Sequence, residues 1–370
     1  MPYFTFSSKT RRSLVLRVFT ICLGLLVLPL IVYTFFVIFS EDEVSPHLFK
    51  HFLFFFIALI VFGGTATGLL IRRMAKPLSQ LDKVMQEVEE GNVSARYQED
   101  ALGFEINEIG AHFNRAMDSL VKEKIAKKIL ESELKIGHEI QKSLFPQHEQ
   151  KVSGLEIGTG VIFCREVGGD FYDFFPLNEE EVLLTIADAS DKGIGACLYS
   201  LGVRSLLRGL SSSEKTLTET LTLANTLFCE DTGDTGSFVT AFVGRYSTKS
   251  QVLEYSSCGH PHALLFRKEE VKELTTPGMA LGVEKNTPFE TSSVTLEQGD
   301  LLVLYTDGVI EAMNPQGKMY SKERLIAYIE KNQTLAPSFL IEGILKEISH
   351  FSKSAPQHDD LTLLALKLLK

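Results

Sequence analysis

Four times in this chain an apolar run meets an aspartate, often next to a glycine. "VGGDFYDFF" sets Asp170 after Gly168 and Gly169. "VLLTIADASDKG" brings an apolar run to Asp188, and "LLVLYTDG" brings another to Asp307, just before Gly308. Asp359 and Asp360 open "DDLTLLALKLL". Any one of these could be an ordinary turn, because Asp-Gly favours tight turns and Asp at a strand end solvates a loop. Four together argue for carboxylates converging at one edge of a sheet. Clustered carboxylates repel, and two that share a site cannot both ionise cheaply, so a cation resolves the conflict. Oxygen-only ligands with little His or Cys select a hard ion, Mg²⁺ or Mn²⁺, over zinc. Two such ions about 3.5–4 Å apart can activate a water and neutralise a phosphoryl group under in-line attack. No nucleophilic side chain is needed, and none stands in a Cys-His or Ser-His pairing of recognisable spacing.

The surroundings of these acids set the fold class. From about residue 150, β-rich runs such as "EVLLTIADA", "SFVTAFVGRYS", "QVLEYSSCG", "HALLFRK" and "DLLVLYTDGVIEA" follow one another. Helical segments interrupt them near 194–210, 215–229, 321–331 and 336–350. Strands in succession with grouped helices predict a largely antiparallel sheet core covered by helices. No GxGxxG follows a strand, so a dinucleotide-binding βαβ unit is not indicated.

Composition removes other classes. A net charge of −10 argues against a nucleic-acid partner, which would need phosphate-neutralising Lys and Arg. The five cysteines are scattered with no CxxC pair, which suits a reducing compartment better than a disulfide framework or a zinc site. The N-terminus is a different material. Residues 14–39 and 48–71 are two apolar runs, each longer than the ~20 residues that cross a bilayer core. They predict a transmembrane hairpin rather than a cleaved signal peptide. Lys9, Arg11, Arg12 and Arg17 flank one side and Arg72, Arg73 and Lys76 the other, while the connecting "SEDEVSPH" is acidic. The positive-inside rule then places both chain ends in the cytoplasm of a multi-pass membrane protein. Two buried helices of a soluble protein are the alternative.

Past Arg73, Leu78, Leu81, Met85 and Val88 recur at three- and four-residue spacing. Ile106, Ile109, Phe113, Ala116 and Leu120 repeat the pattern after the Gly91-Asn92 break. Two amphipathic helices joined by a connector resemble a HAMP signalling domain, with Pro77 and "FEINEIGAHFNRAM" in the matching places. Asn107 departs from that pattern, which usually has Gly. A plain juxtamembrane coiled coil is the simpler reading. The helical signal runs on through "KEKIAKKILESELKIGHEIQKSLFP" to Pro146, with Ile129, Ile136, Ile140 and Leu144 on one face. His138-Glu139 could mark a sensor-kinase phosphoacceptor, but the only Gly-rich candidate downstream is "DTGDTG" at 231–236, a short polar loop.

Seven motifs in order, "VGGDFYDFF", "IADASDKGIGA", "FVTAFVGRYS", "SCGHPHALLF", "GMALGV", "GDLLVLYTDGVIEA" and "HDDLTLLALKL", resemble the bacterial SpoIIE/RsbU branch of the metal-dependent protein phosphatase 2C superfamily. "EIQKSLFP" is similar to the linker helix that precedes this domain in the branch. The resemblance implies an α/β/β/α sandwich of two largely antiparallel sheets. The expected organisation is a cytoplasmic N-terminus (1–13), a membrane hairpin (14–71), a HAMP domain (72–121), a linker helix (122–146) and a catalytic domain (147–370). The resemblance further implies two Mn²⁺ or Mg²⁺ ions. Asp188 would bridge them, the Ala189 carbonyl would be a further ligand, Asp170 would complete one ion, and Asp307 and Asp359 would hold the other. Asp360 is a weaker candidate, and Asp173 with its aromatic neighbours reads as the supporting wall. Asp191 stands where many members have Gly, and Cys258 replaces the usual Ala of an "AGH" turn. By the same resemblance the activity is serine/threonine phosphoprotein hydrolysis at a bacterial inner membrane. The expected substrate is a phosphorylated STAS-domain anti-sigma-factor antagonist, and the expected assembly is a homodimer through the HAMP and linker helices. A catalytically silent signalling module is the alternative, and a zinc site from His260 and His262 is a minor one.

Overall fold

The computed structural model describes residues 46–101, 104–146 and 154–369, together with isolated positions between 24 and 34. The chain divides into two compact units, 1–129 and 130–370.

In the first unit, α1 (Pro46–Leu70) passes through a π-helical turn (Ile71–Ala75) into α2 (Lys76–Glu89). The first apolar run, 14–39, falls outside the described residues except for those isolated positions. The second lies in α1, where His47, Lys50 and His51 occupy the opening turns and Gly63, Gly64, Thr65, Thr67 and Gly68 the last third. The unbroken apolar run is therefore Phe52 to Phe62, roughly 17 Å of helix against a bilayer core of about 30 Å. No helix among the described residues is long and apolar enough to cross a membrane. This corrects the expectation of a transmembrane hairpin and of multi-pass membrane localisation.

Pro77 sits in the first turn of α2, where its missing N–H costs nothing. After the connector the chain enters α3 (Phe104–Leu144), one helix of 41 residues. Leu81, Tyr97 and Ile106 are buried together, with Phe113 packed against them. The connector is held by the residue that departs from the HAMP pattern. Asn107 Oδ1 accepts from the Tyr97 hydroxyl at 2.8 Å and from the Asp100 N–H at 3.0 Å, and Asn107 Nδ2 donates to the Asp100 carbonyl at 2.7 Å. Gly110 is the close-approach position instead: a Cβ there would lie 1.9 Å from the Tyr97 ring. Leu78, Met85, Ile109 and Leu120, expected on the apolar seams, are exposed in the single chain.

The second unit is a sandwich. Among its described residues, one sheet has the order β1 (Leu155–Ile162), β10 (Leu361–Leu368), β9 (Leu301–Tyr305), β6 (Ala263–Arg267), β7 (Glu270–Leu274). The other runs β2 (Phe171–Pro176), β3 (Glu181–Ala189), β4 (Val239–Ser247), β5 (Val252–Cys258), β8 (Ser292–Thr295). All pairings between these strands are antiparallel. "LLVLY" and "LTLLALKL" are nearly continuous apolar runs because both faces of their sheet are covered. Side chains alternate across a strand, so Leu302, Leu304, Leu364 and Leu366 enter the core shared with the other sheet. Leu301, Val303, Leu363 and Ala365 enter a second core under α7 (Lys322–Asn332) and α8 (Pro337–Ser352). On the far side, α4 (Ile194–Leu210) and α5 (Leu217–Thr232) cover the β2–β8 sheet. The layers are α/β/β/α, as expected. One local expectation fails: the run through "DGVIE" is not strand, because α6 (Asp307–Glu311) begins immediately after β9.

Candidate active site

Register builds the acid cluster. In the β2–β3 hairpin Phe171 pairs with Ala187, which brings Asp170 opposite Asp188 at the next step. In the other sheet Leu363 pairs with Tyr305, so Asp359 and Asp360, just before β10, reach the end of β9 where Asp307 starts α6. The sheets meet at two bonds. The Thr306 hydroxyl donates to Asp170 Oδ2 at 2.8 Å, and the Gly169 N–H donates to Asp360 Oδ2 at 2.8 Å. All five acids thus belong to one neighbourhood at the end of the sandwich.

Their electrostatics are those of crowded, dehydrated carboxylates. Burial holds Asp170 well above the usual carboxylate range, and the charges of Asp188 and Asp360 push it the same way. Asp188 is raised to about 7 by burial and then by Asp307, against the hydrogen bond from Asp170. Asp307 is raised by burial and then by Asp359. Asp359 has a cationic neighbour: Lys192 Nζ lies 2.8 Å from its Oδ2 and also contacts the His358 carbonyl.

Asp360 is not placed as a free ligand. Its Oδ1 accepts the Cys164 N–H at 2.7 Å and its Oδ2 faces the Gly169 and Asp170 N–H groups, so it organises the loop before β2. That contact explains Gly168. A Cβ on Gly168 would lie 2.3 Å from Asp360 Oδ2 and 2.0 Å from the Phe163 ring. Asp191, at the family's Gly position, has φ of 73°, a left-handed conformation that Asp tolerates better than most side chains.

Donor chemistry decides whether a metal suits the cluster. The set is carboxylate and carbonyl oxygen, with Asp170 buried and Asp188, Asp307 and Asp359 half-buried, mutually repelling and without His or Cys, which fits a hard divalent ion. Among the described residues, no three His, Cys, Asp or Glu side chains already gather as a metal-binding group. Part of the reason is visible: Asp360 is committed to backbone N–H groups, and Asp359 is paired with Lys192.

Several supporting residues escaped sequence reasoning. Gln141 on α3 grips Gly168 from both sides, with Nε2 donating to its carbonyl at 2.8 Å and Oε1 accepting its N–H at 3.2 Å. Phe145 stacks on Tyr172 at 4.8 Å. Asp173, expected in the supporting wall, is buried there, but its partners carry no sequence signal: it accepts from Arg208 Nε at 2.5 Å and Nη2 at 2.7 Å, with Arg204 at 3.1 Å. Arg204 also donates to the Leu144 carbonyl. No local pattern announces these partners, which lie 27 to 60 residues apart.

The minor histidine readings separate. His260 is buried, bonded to Thr240 Oγ1 at 2.9 Å, and lowered to about 3 by burial. His262 is exposed and pairs with Glu273. His138 places Nδ1 2.7 Å from the Glu166 carbonyl, and "DTGDTG" ends α5 and forms a 3₁₀ turn.

Comparison with known proteins agrees with this architecture. The sequence profile described as stage II sporulation protein E (SpoIIE) matches residues 178–369, and the HAMP domain profile matches residues 69–122. The chain is similar to Protein IcfG of Synechocystis sp., 24% identical over 363 residues, covering 88% of this chain and 57% of that protein. It is also similar to the phosphoserine phosphatase RsbU of Bacillus subtilis, 25% identical over 240 residues, covering 64% of this chain and 70% of that protein. The chain therefore spans little more than half the length of the first of these relatives. Among solved structures, the SiaA-PP2C domain of Pseudomonas aeruginosa superposes with a TM-score of 0.59 at 18% identity, covering 66% of this chain and 98% of that one. The C-terminal unit has the PP2C-type phosphatase fold, a HAMP domain precedes it, and the chain belongs to the SpoIIE family.

Proposed function

We propose that the chain is a metal-dependent phosphoserine/phosphothreonine protein phosphatase. The observation that carries this reading is the meeting of Asp170, Asp188, Asp307 and Asp359 where the two sheets join, with Asp170 and Asp188 displaced far toward protonation. In this reading Asp170, Asp188, Asp307, Asp359 and the Ala189 carbonyl would hold two ions, Mn²⁺ or Mg²⁺. Bound there, the ions supply charge neutralisation at the phosphoryl oxygens and a lowered pKa for the attacking water. The chain's own groups fix the geometry. Thr306 orients Asp170, Asp360 ties down the loop in front of it, and Lys192 balances Asp359.

By its likeness to RsbU, the substrate is a phosphorylated STAS-domain anti-sigma-factor antagonist in a partner-switching circuit. The exposed Leu78, Met85, Ile109, Leu120, Ile125, Ile129, Ile136 and Ile140 support a homodimer through the HAMP and linker helices. The test is phosphate release from such a phosphoprotein with Mn²⁺ or Mg²⁺, wild type beside Asp188→Asn. Release by wild type alone supports the reading, whereas equal release by both overturns it. Tight substrate binding without release would favour a silent signalling module.

A further inference from the structure

Within the C-terminal unit, a groove of about 590 Å³ lies between the end of α3 and the segment leaving β1. Lys135, His138 and Lys142 line one side, spaced i, i+3 and i+7 and so on one helix face. Arg165 lines the other, and Phe145 and Phe163, with ring centroids 6.2 Å apart, form an apolar floor. Glu166 also lines the groove; its main-chain carbonyl engages His138, and its exposed carboxylate offsets one charge, so Lys135, Lys142 and Arg165 leave a net excess of two exposed cations.

Two features define an occupant. The cations are strung over about 10 Å, seven residues of helix rise, rather than gathered around one point as a single phosphate would require. The Arg165 side of the groove also lies next to residues that contact the acid cluster. Arg165 Nη1 lies 3.3 Å from where a Gly193 Cβ would be, beside the Lys192 that pairs with Asp359, and the Cys164 N–H is bound by Asp360. We propose that this groove docks an acidic, apolar-bearing segment of the phosphoprotein substrate. Its carboxylates meet Lys135, Lys142 and Arg165, its apolar side chains cover Phe145 and Phe163, and its phosphorylated residue continues to the carboxylates. This rests on the phosphatase reading and adds what the enzyme recognises besides phosphate.

The experiment uses the full chain with Mn²⁺ and three probes: p-nitrophenyl phosphate and two phosphoserine peptides of equal length and apolar content, one flanked by Glu and one by Gln. Lys135→Glu/Lys142→Glu and Arg165→Glu alter exposed positions outside the acid cluster. The expected result is a wild-type preference for the Glu-flanked peptide, lost in the double variant through a KM about tenfold higher. Peptide kcat and p-nitrophenyl phosphate hydrolysis stay unchanged. Equal wild-type treatment of both peptides, or a matching loss on p-nitrophenyl phosphate, overturns the proposal. So does a double variant whose dimer dissociates while peptide turnover is unchanged, since a second copy would then be the occupant. If wild type hydrolyses no probe, the phosphatase reading has failed rather than the groove. Fluorescence anisotropy of the labelled Glu-flanked peptide then decides: binding that the double variant loses supports docking, and no wild-type binding overturns it.

Discussion

Asp360 Oδ2 accepts the N–H of Gly169 at 2.8 Å, joining residues 191 positions apart and fastening the loop before β2 to the start of β10. Its other oxygen takes the Cys164 N–H at 2.7 Å. Asp359, its chain neighbour, is half exposed and faces Lys192. The two adjacent acids therefore have separable roles. Asp360→Asn turns an acceptor oxygen into a donor facing N–H groups and should cost about 1–3 kcal/mol of stability. Asp359→Asn should leave the melting temperature close to wild type while weakening Mn²⁺ binding measured by calorimetry.

The raised pKa of Asp188 gives the metal-free protein a defined pH response. The folded state holds a proton up to about pH 7, whereas the unfolded chain releases it near 3.8. Between those values the folded state binds more protons, so this group's contribution to stability falls as pH rises from about 4 to 7 and is flat above. Thermal melts without divalent ions should show that decline, and Asp188→Asn should flatten it. Mn²⁺ should raise the melting temperature more at pH 8 than at pH 5, because the ion replaces the proton that high pH removes.

Gly168→Ala tests the tightness of the loop. The added methyl would meet both the Asp360 carboxylate and the Phe163 ring. Overpacking of this kind costs roughly 1–3 kcal/mol, and denaturant melts should place the variant in or above that range. Activity should fall further than stability does, because Asp170 follows two residues later.

Gly137 sits within α3, where a glycine costs up to about 1 kcal/mol relative to alanine. A Cβ there would meet Val167 Cγ1 at an ordinary 3.5 Å. Gly137→Ala should therefore stabilise the protein by a few tenths to about 1 kcal/mol. If flexing at this position tunes the loop, phosphatase activity of the full chain should also change; stabilisation with unaltered activity would leave Gly137 no regulatory role.

The sheets were legible because their strands carry continuous apolar runs bounded by acids and glycines, as β9 and β10 do. The acids were legible for the same reason: Asp170, Asp188, Asp307 and Asp359 each sit at or beside the end of an apolar run. Less visible was everything whose cause is a distant partner. Nothing near Gln141 or Asp360 announces Gly168 or Gly169, and the pairing of Asp173 with Arg204 and Arg208 is invisible until α4 packs on β2. Hydropathy alone overreached at 48–71, where His, Lys, Gly and Thr shorten the strictly apolar stretch. Strand propensity overreached at "DGVIE", where the chain turns into α6 directly after Tyr305.

Gln141 treats the Gly168 peptide as a neighbouring strand would, offering one donor and one acceptor, yet it belongs to a helix. The loop carrying Asp170 thus has a borrowed edge partner. A true strand neighbour could leave only by unzipping a ladder; this one can leave by a rotation of α3 that breaks the two Gln141 bonds together with the His138 contact to the Glu166 carbonyl, each worth about 0.5–1.5 kcal/mol net. The loop before the acid cluster is thus held from two sides, by Asp360 at the start of β10 and by Gln141 and His138 on α3, and a turn of the helix acts on the second hold alone.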